Sequence, residues 1–171
     1  MANANLPNGF TLFSNDAVVI KYLVANADSL KANDTVYLDS SGYASDTASK
    51  IALGVAQSDI IDGYTGAINA TAATASYDYI YVNVNTNSVY TAQISTGALT
   101  SPYTTKSSAA SYDEAGSAGV QYINAAAHSH DLWKVVGYAT EYKDGSESAA
   151  GNYQKVYCKL NSAACAFGTI A

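Results

Sequence analysis

Three groups of residues in this sequence have the types and spacing that chemistry asks for. His128-Ser129-His130-Asp131 sets two imidazoles two apart, so that on a strand both project to the same side and can share an ion. A metal centre needs further ligands, and none can be matched to this pair by spacing, so we expect no metal and no cofactor. Asp59 and Asp62 beside Gly63 have the acids and the turn residue of a calcium loop without its ligand spacing, and they read as a solvated turn. Cys158 and Cys165 lie seven apart, close enough in sequence for a bridge across a short loop. Cys158, however, falls in a strand pattern as a small apolar residue, and a chain made in a reducing cytoplasm keeps its thiols. We expect a core thiol at Cys158 and no disulfide. Serines are abundant, but no G-x-S-x-G or phosphate-binding loop marks one of them, and the acids are scattered over turns. No nucleophile is paired with a base, and we expect no enzymatic activity and no catalytic residue.

What must be explained instead is a strand-rich chain with aromatic surface. Its 171 residues suit one domain, or two small lobes sharing a core, and can bury enough apolar area to fold without staples. Tyrosine occurs 15 times against 3 Phe and 1 Trp, and only 13% of residues are charged. Glutamate is confined to Glu114, Glu141 and Glu147, so few strong helix formers remain beside the Val, Ile, Thr and Tyr that favour strands. The expectation is all-β. Net charge is −6 and every one of the 8 basic residues is lysine. Arginine forks are the usual means of gripping phosphates and base edges, so this balance argues against a nucleic-acid partner. The opening MANANLPNGFTLF lacks a basic and an apolar region, and no later window has the length of a membrane span. We expect synthesis in the cytoplasm and no membrane partner. The sequons Asn33-Asp34-Thr35 and Asn69-Ala70-Thr71 then have no modifying enzyme to meet.

Taken in order, residues 1–15 hold isolated apolar anchors at Leu6, Phe10, Leu12 and Phe13 around Pro7-Asn8-Gly9, which fits either an extended arm or a frayed terminus. Residues 16–171 form the β domain, with a possible division into lobes at about 16–76 and 77–171. Ala17–Ala25 is a continuous apolar run that reads as a core strand. Thr35–Leu38 and Ile51–Ala56 are two further strands around the turn Asp39-Ser40-Ser41-Gly42. Tyr77–Val84 alternates most clearly: Tyr77, Tyr79 and Tyr81 on one face, Ile80, Val82 and Val84 on the other, with a hairpin return over Ser88–Ile94. The tyrosine row suits a protein interface or a sugar platform, or else a second core layer. Ser95–His130 reads as long loops with one or two short strands. Leu132–Tyr142 and Tyr153–Leu160 resume strand order, the latter placing Val156, Cys158 and Leu160 opposite Tyr157 and Lys159.

Several of these stretches, in this order, carry a resemblance. The opening Met1-Ala2-Asn3-Ala4-Asn5 with Pro7-Asn8-Gly9-Phe10, the strand Asp34-x-Val36-x-Leu38 leading to Leu53-Gly54-Val55, Tyr79-Ile80-Tyr81-Val82 returning through Tyr90 to Gln93, Val135-Val136-Gly137, and the closing Lys155-Val156-x-x-Lys159-Leu160-Asn161 together resemble capsid cement (head decoration) proteins of tailed bacteriophages. Departures fall at the turn Asn83–Asn87 and at Asn161–Cys165, where the family tends to differ. The resemblance implies an antiparallel β-barrel or sandwich with an extended N-terminal arm. It implies a structural virion protein that binds the outer surface of an expanded capsid, often as a homotrimer, and bridges subunits of the major capsid protein. On this reading the arm residues Leu6, Pro7, Phe10, Leu12 and Phe13 contact the capsid, Tyr77, Tyr79 and Tyr81 are a possible interface, and removing Met1–Phe13 leaves the domain folded. The alternative is a carbohydrate-binding or host-attachment module displayed on the virion, with the tyrosines and the Ser95–His130 loops as its sugar platform.

Overall fold

Short β-branched and aromatic runs, each closed by Gly, Asn or Asp, leave this chain little choice but to pair strands. The computed structural model describes residues 9–24, 28–48, 51–63, 65–67, 74–76, 78–95, 111–124, 131–138 and 153–165. The regular elements among them are strands and one short 3-10 turn at Ser162–Ala164. The fold is all-β, as expected. The strands are β1 (Thr11–Leu12), β2 (Val19–Leu23), β3 (Thr35–Leu38), β4 (Ala44–Ser45), β5 (Ala52–Ala56), β6 (Thr65–Ala67), β7 (Thr74–Ser76), β8 (Tyr79–Asn83), β9 (Tyr90–Ser95), β10 (Ser111–Ala115), β11 (Tyr122–Asn124), β12 (Trp133–Tyr138) and β13 (Tyr153–Leu160).

One sheet runs β1-β9-β11-β10-β12-β13 and closes on itself, because β13 also pairs with β9 from Tyr153↔Ser95 to Cys158↔Tyr90. This is the barrel. The second sheet runs β2-β8-β5-β3-β4, and a bridge from Val24 to Ala44 draws its two ends together. β6 and β7 form a separate two-stranded ribbon. Two apolar clusters result. One, built on Phe10, Tyr90, Ile94, Tyr112, Ile123, Trp133 and Val156, fills the barrel and takes Tyr37, Ala52 and Val55 from the second sheet. The other, Val24, Leu30, Val36, Leu53, Ile80, Val82 and their neighbours, lies on that sheet's other side. β5 therefore contributes to both clusters and is buried along its whole length. At its centre Gly54 has no room for a side chain, since a Cβ there would sit 2.1 Å from the Asn83 carbonyl oxygen.

Polar groups sew the two sheets together where apolar packing cannot. Buried Asp34 accepts from Gly119 N at 2.9 Å and from Lys31 N at 2.9 Å, while Gln121 Oε1 accepts from Thr35 N at 2.7 Å. Burial raises the Asp34 pKa, and these backbone donors oppose the rise by holding its charged form.

Four sequence expectations are corrected. First, the strands on either side of Asn83–Asn87 do not form a hairpin: β8 belongs to the second sheet and β9 to the barrel. The cause is Asn83, whose amide is fully buried and donates to Ser88 Oγ at 3.0 Å and Tyr90 Oη at 2.7 Å, while its oxygen accepts from Val18 N at 3.0 Å and Asn85 N at 3.1 Å. A side chain that satisfies four partners fixes a corner rather than a tight turn. Second, the chain passes between sheets there, after β8 and not before Tyr77. Third, within the expected core strand Ala17–Ala25, of which Ala25 lies outside the described residues, Val19–Leu23 form the edge strand β2, which lies largely in solvent rather than in the core. Fourth, residues 9–15 are part of the domain and not an arm. Phe10 is 0% exposed and stacks on Trp133 with ring centroids 3.8 Å apart. Its N–H donates to Asn33 O at 2.7 Å and that of Gly9 to Gln121 O at 3.0 Å.

Candidate functional site

The face that stands out for function is built by β2 lying along β8. Their register pairs Val19 with Asn83, Ile20 with Val82, Lys21 with Tyr81, Tyr22 with Ile80 and Leu23 with Tyr79. Ile20 and Tyr22 share the side of the sheet that holds the fully buried Ile80 and Val82; Tyr22 is half-buried there and burial raises its pKa, whereas Ile20 stays exposed at the edge. The other set, Val19, Lys21 and Leu23, shares the outer face with Tyr79 and Tyr81. Alternation in Tyr77–Val84 is as the sequence indicated; Tyr77 itself lies outside the described residues.

On this outer face Val19 is 48%, Leu23 38% and Tyr81 39% exposed, while Val18 at 52% and Ile20 at 38% are exposed on the other side of the strand. Single exposed apolar residues are ordinary, but an apolar set shared by one strand and its neighbour is a surface with the character of a contact site. Tyr79 and Tyr81 meet edge to face, 5.7 Å apart at 88°, and the Lys21 ammonium rests 3.8 Å above the Tyr79 ring. That cation–π contact holds the lysine stem flat over the sheet. Among the described residues no carboxylate reaches Lys21, whereas Lys31 pairs with Asp59 at 3.6 Å.

The proposed arm residues divide. Phe10 is core, Leu12 is half-buried against the barrel cluster, and Phe13 is 61% exposed with its ring tilted on Tyr157 at 4.8 Å. Leu6 and Pro7 lie outside the described residues. Of the candidate chemistry, His128, Ser129 and His130 also lie outside them. Asp131 is held through its main chain, its N–H donating to Asp113 Oδ1 at 2.9 Å and its carbonyl accepting from Asn161 Nδ2 at 2.9 Å. Asp59 clips a loop by accepting from Ala32 N at 2.9 Å, the main reason its carboxyl is held below the usual range. Among the described residues no three His, Cys, Asp or Glu side chains gather closely enough to hold a metal ion. Both cysteines are free thiols; burial pushes Cys158 well up and Cys165 up to about 12.

Sequence reasoning missed Val18, Val19, Ile20 and Leu23 as surface. The signal was present in Lys21, because a lysine at the middle of a five-residue strand is rarely tolerated in a core. Among the described residues no helix is long and apolar enough to cross a membrane. No protein-family model, curated protein or solved structure matches this chain.

Proposed function

We propose that this protein is a structural component of a tailed-phage virion that binds the outer surface of the capsid, bridges coat subunits and stabilises the expanded shell. The observation that carries this reading is the exposed apolar and aromatic face of β2 and β8, a surface suited to another protein. The ordered resemblance of the sequence to capsid cement proteins supplies the identity of that partner, the major capsid protein, and a homotrimeric state. Phe13, exposed beside Tyr157, is a further contact available from the N-terminal segment.

The sugar-binding alternative is weaker on a specific ground. A sugar stacks on a flat, uncovered ring, but Tyr79 is capped by Lys21 and stands perpendicular to Tyr81. The test is to mix the purified protein with expanded, DNA-free shells of its phage and sediment them. Saturable co-sedimentation, with shells that resist heating better than bare ones, is the expected result. Protein left wholly in the supernatant while a glycan array gives saturable binding would replace this reading by the other.

A further inference from the structure

The alternation of main-chain bonds in an antiparallel pair tells which way each residue of β2 points its peptide groups. Val24 N donates to Asp78 O at 3.0 Å and Val84 N donates to Val18 O at 2.9 Å. In the register of β2 on β8, hydrogen-bonded pairs recur at every second residue, so Val18, Ile20, Tyr22 and Val24 face β8. The N–H and C=O groups of Val19 and Lys21 point the other way. There β2 is the end of its sheet, and among the described strands nothing continues it alongside these two residues. Only at Val24 does the bridge to Ala44 begin to cover the edge.

Natural edge strands are usually short, twisted away or lined with charge, because an open ladder invites pairing. β2 has five residues in unbroken register, and its outward side chains at both ends, Val19 and Leu23, are apolar. The single charge, Lys21, lies between them. A second copy of β2 docked across a two-fold axis at Lys21 would set two ammonium groups face to face, which disfavours self-pairing. A strand from another protein with a carboxylate opposite Lys21 would meet a charge that no described carboxylate neutralises. It would also extend the apolar set of Val19, Leu23 and Tyr81 on the same face.

We propose that β2 is an acceptor edge: an extended segment of the coat protein adds to it as a further strand, with an acidic residue opposite Lys21 and apolar residues two positions to either side. This rests on the capsid-binding reading and names how that contact is made. Main-chain bonds to Val19 and Lys21 supply the affinity, and the alternating apolar-acidic-apolar pattern supplies the selectivity.

The experiment is hydrogen–deuterium exchange of the whole protein, free and bound to expanded DNA-free shells, followed at the amides of Val19 and Lys21. In free protein these amides exchange quickly at every protein concentration, and on shells they slow by at least about tenfold, as a ladder donor does. Two variants accompany it. Val19→Pro removes an outward N–H without touching the bonds to β8, and Lys21→Glu reverses the charge; each should leave the melting temperature nearly unchanged and weaken shell binding about tenfold or more. Wild-type protein that binds shells with both amides still exchanging fast would overturn strand addition while leaving capsid binding intact. So would full decoration by Val19→Pro. Protection that rises with protein concentration in the absence of shells would assign the edge to a second copy instead. Failure of the wild type to bind shells at all would remove the capsid reading and this proposal with it.

Discussion

Phe10 decides whether the N-terminal segment is a detachable arm or part of the core, and Phe10→Ala tests it. The ring is fully buried, lies parallel to Trp133 within 1° and 3.8 Å away, and belongs to the barrel cluster. Truncating a buried phenylalanine costs about 3–5 kcal/mol through lost transfer energy and an unfilled cavity. The upper half of that range applies here, because the stack on Trp133 adds about 0.5–1.5 kcal/mol beyond area. The neighbouring backbone cannot slide in to fill the space: Gly9 holds a φ of +69°, and a Cβ there would come within 2.5 Å of Asn33 O. For a chain of this length each kcal/mol moves the melting temperature by about 2–4 °C, so a loss of about 4–5 kcal/mol in Phe10→Ala should lower it by roughly 8–20 °C. Deleting residues 1–13 should cost more, since it also strips the bonds from Gly9 and Phe10 and the pairing of β1 with β9. Deleting residues 1–8 spares all of these. Differential scanning calorimetry of the three proteins reads the result. A Phe10→Ala transition within about 2 °C of wild type would refute the reasoning and restore the segment to an arm.

Three more outcomes follow from the interior. Gly54→Ala drives a methyl into the Asn83 carbonyl and Val82 Cγ1, backbone and core that cannot retreat, and should destabilise the protein by about 2–3 kcal/mol in urea titration; a loss under about 0.5 kcal/mol would show that β5 and β8 separate easily. Asp28 is pushed up to about 6, first by burial and then by its hydrogen bond and charge contact with Asp46. A carboxyl whose folded pKa lies above its unfolded one contributes stability that is whole below about pH 4 and is lost as pH rises through 6. The melting temperature of wild type minus that of Asp28→Asn should therefore fall between pH 4 and 6 and stay level above it, and a flat or rising difference would exclude the Asp28–Asp46 contact. Cys158 and Cys165, both held as thiols by burial, should resist iodoacetamide at pH 8 in the native protein and both react after unfolding; intact mass under non-reducing conditions should show two free thiols.

The strand class of this chain is legible in its residues, because β-branched and aromatic runs with few strong helix formers allow little else. So is the facing of strands with clean alternation: Ile80 and Val82 are inside and Tyr81 outside, and Val156, Cys158 and Leu160 are inside with Lys155, Tyr157 and Lys159 half-exposed. The turn at Asp39–Gly42 was equally plain, its Asp39 side chain accepting from Ser41 N and Tyr43 N at 2.8 Å. Runs without alternation were not legible. Val18–Leu23, apolar but for Lys21 and Tyr22, and Ala52–Ala56 both lack alternation, yet the first became an exposed edge and the second the strand shared by two cores. Composition along a strand reports how much it can bury, but only the order of strands in a sheet says whether a neighbour arrives to bury it. The same holds for Asn83, a turn residue by type that became a buried four-partner corner, and for Phe10, an isolated aromatic that found Trp133 more than a hundred residues away. Local chemistry sets each strand and the side it shows; partners distant in sequence, known only once the chain has folded, decide which of those sides stays open to another protein.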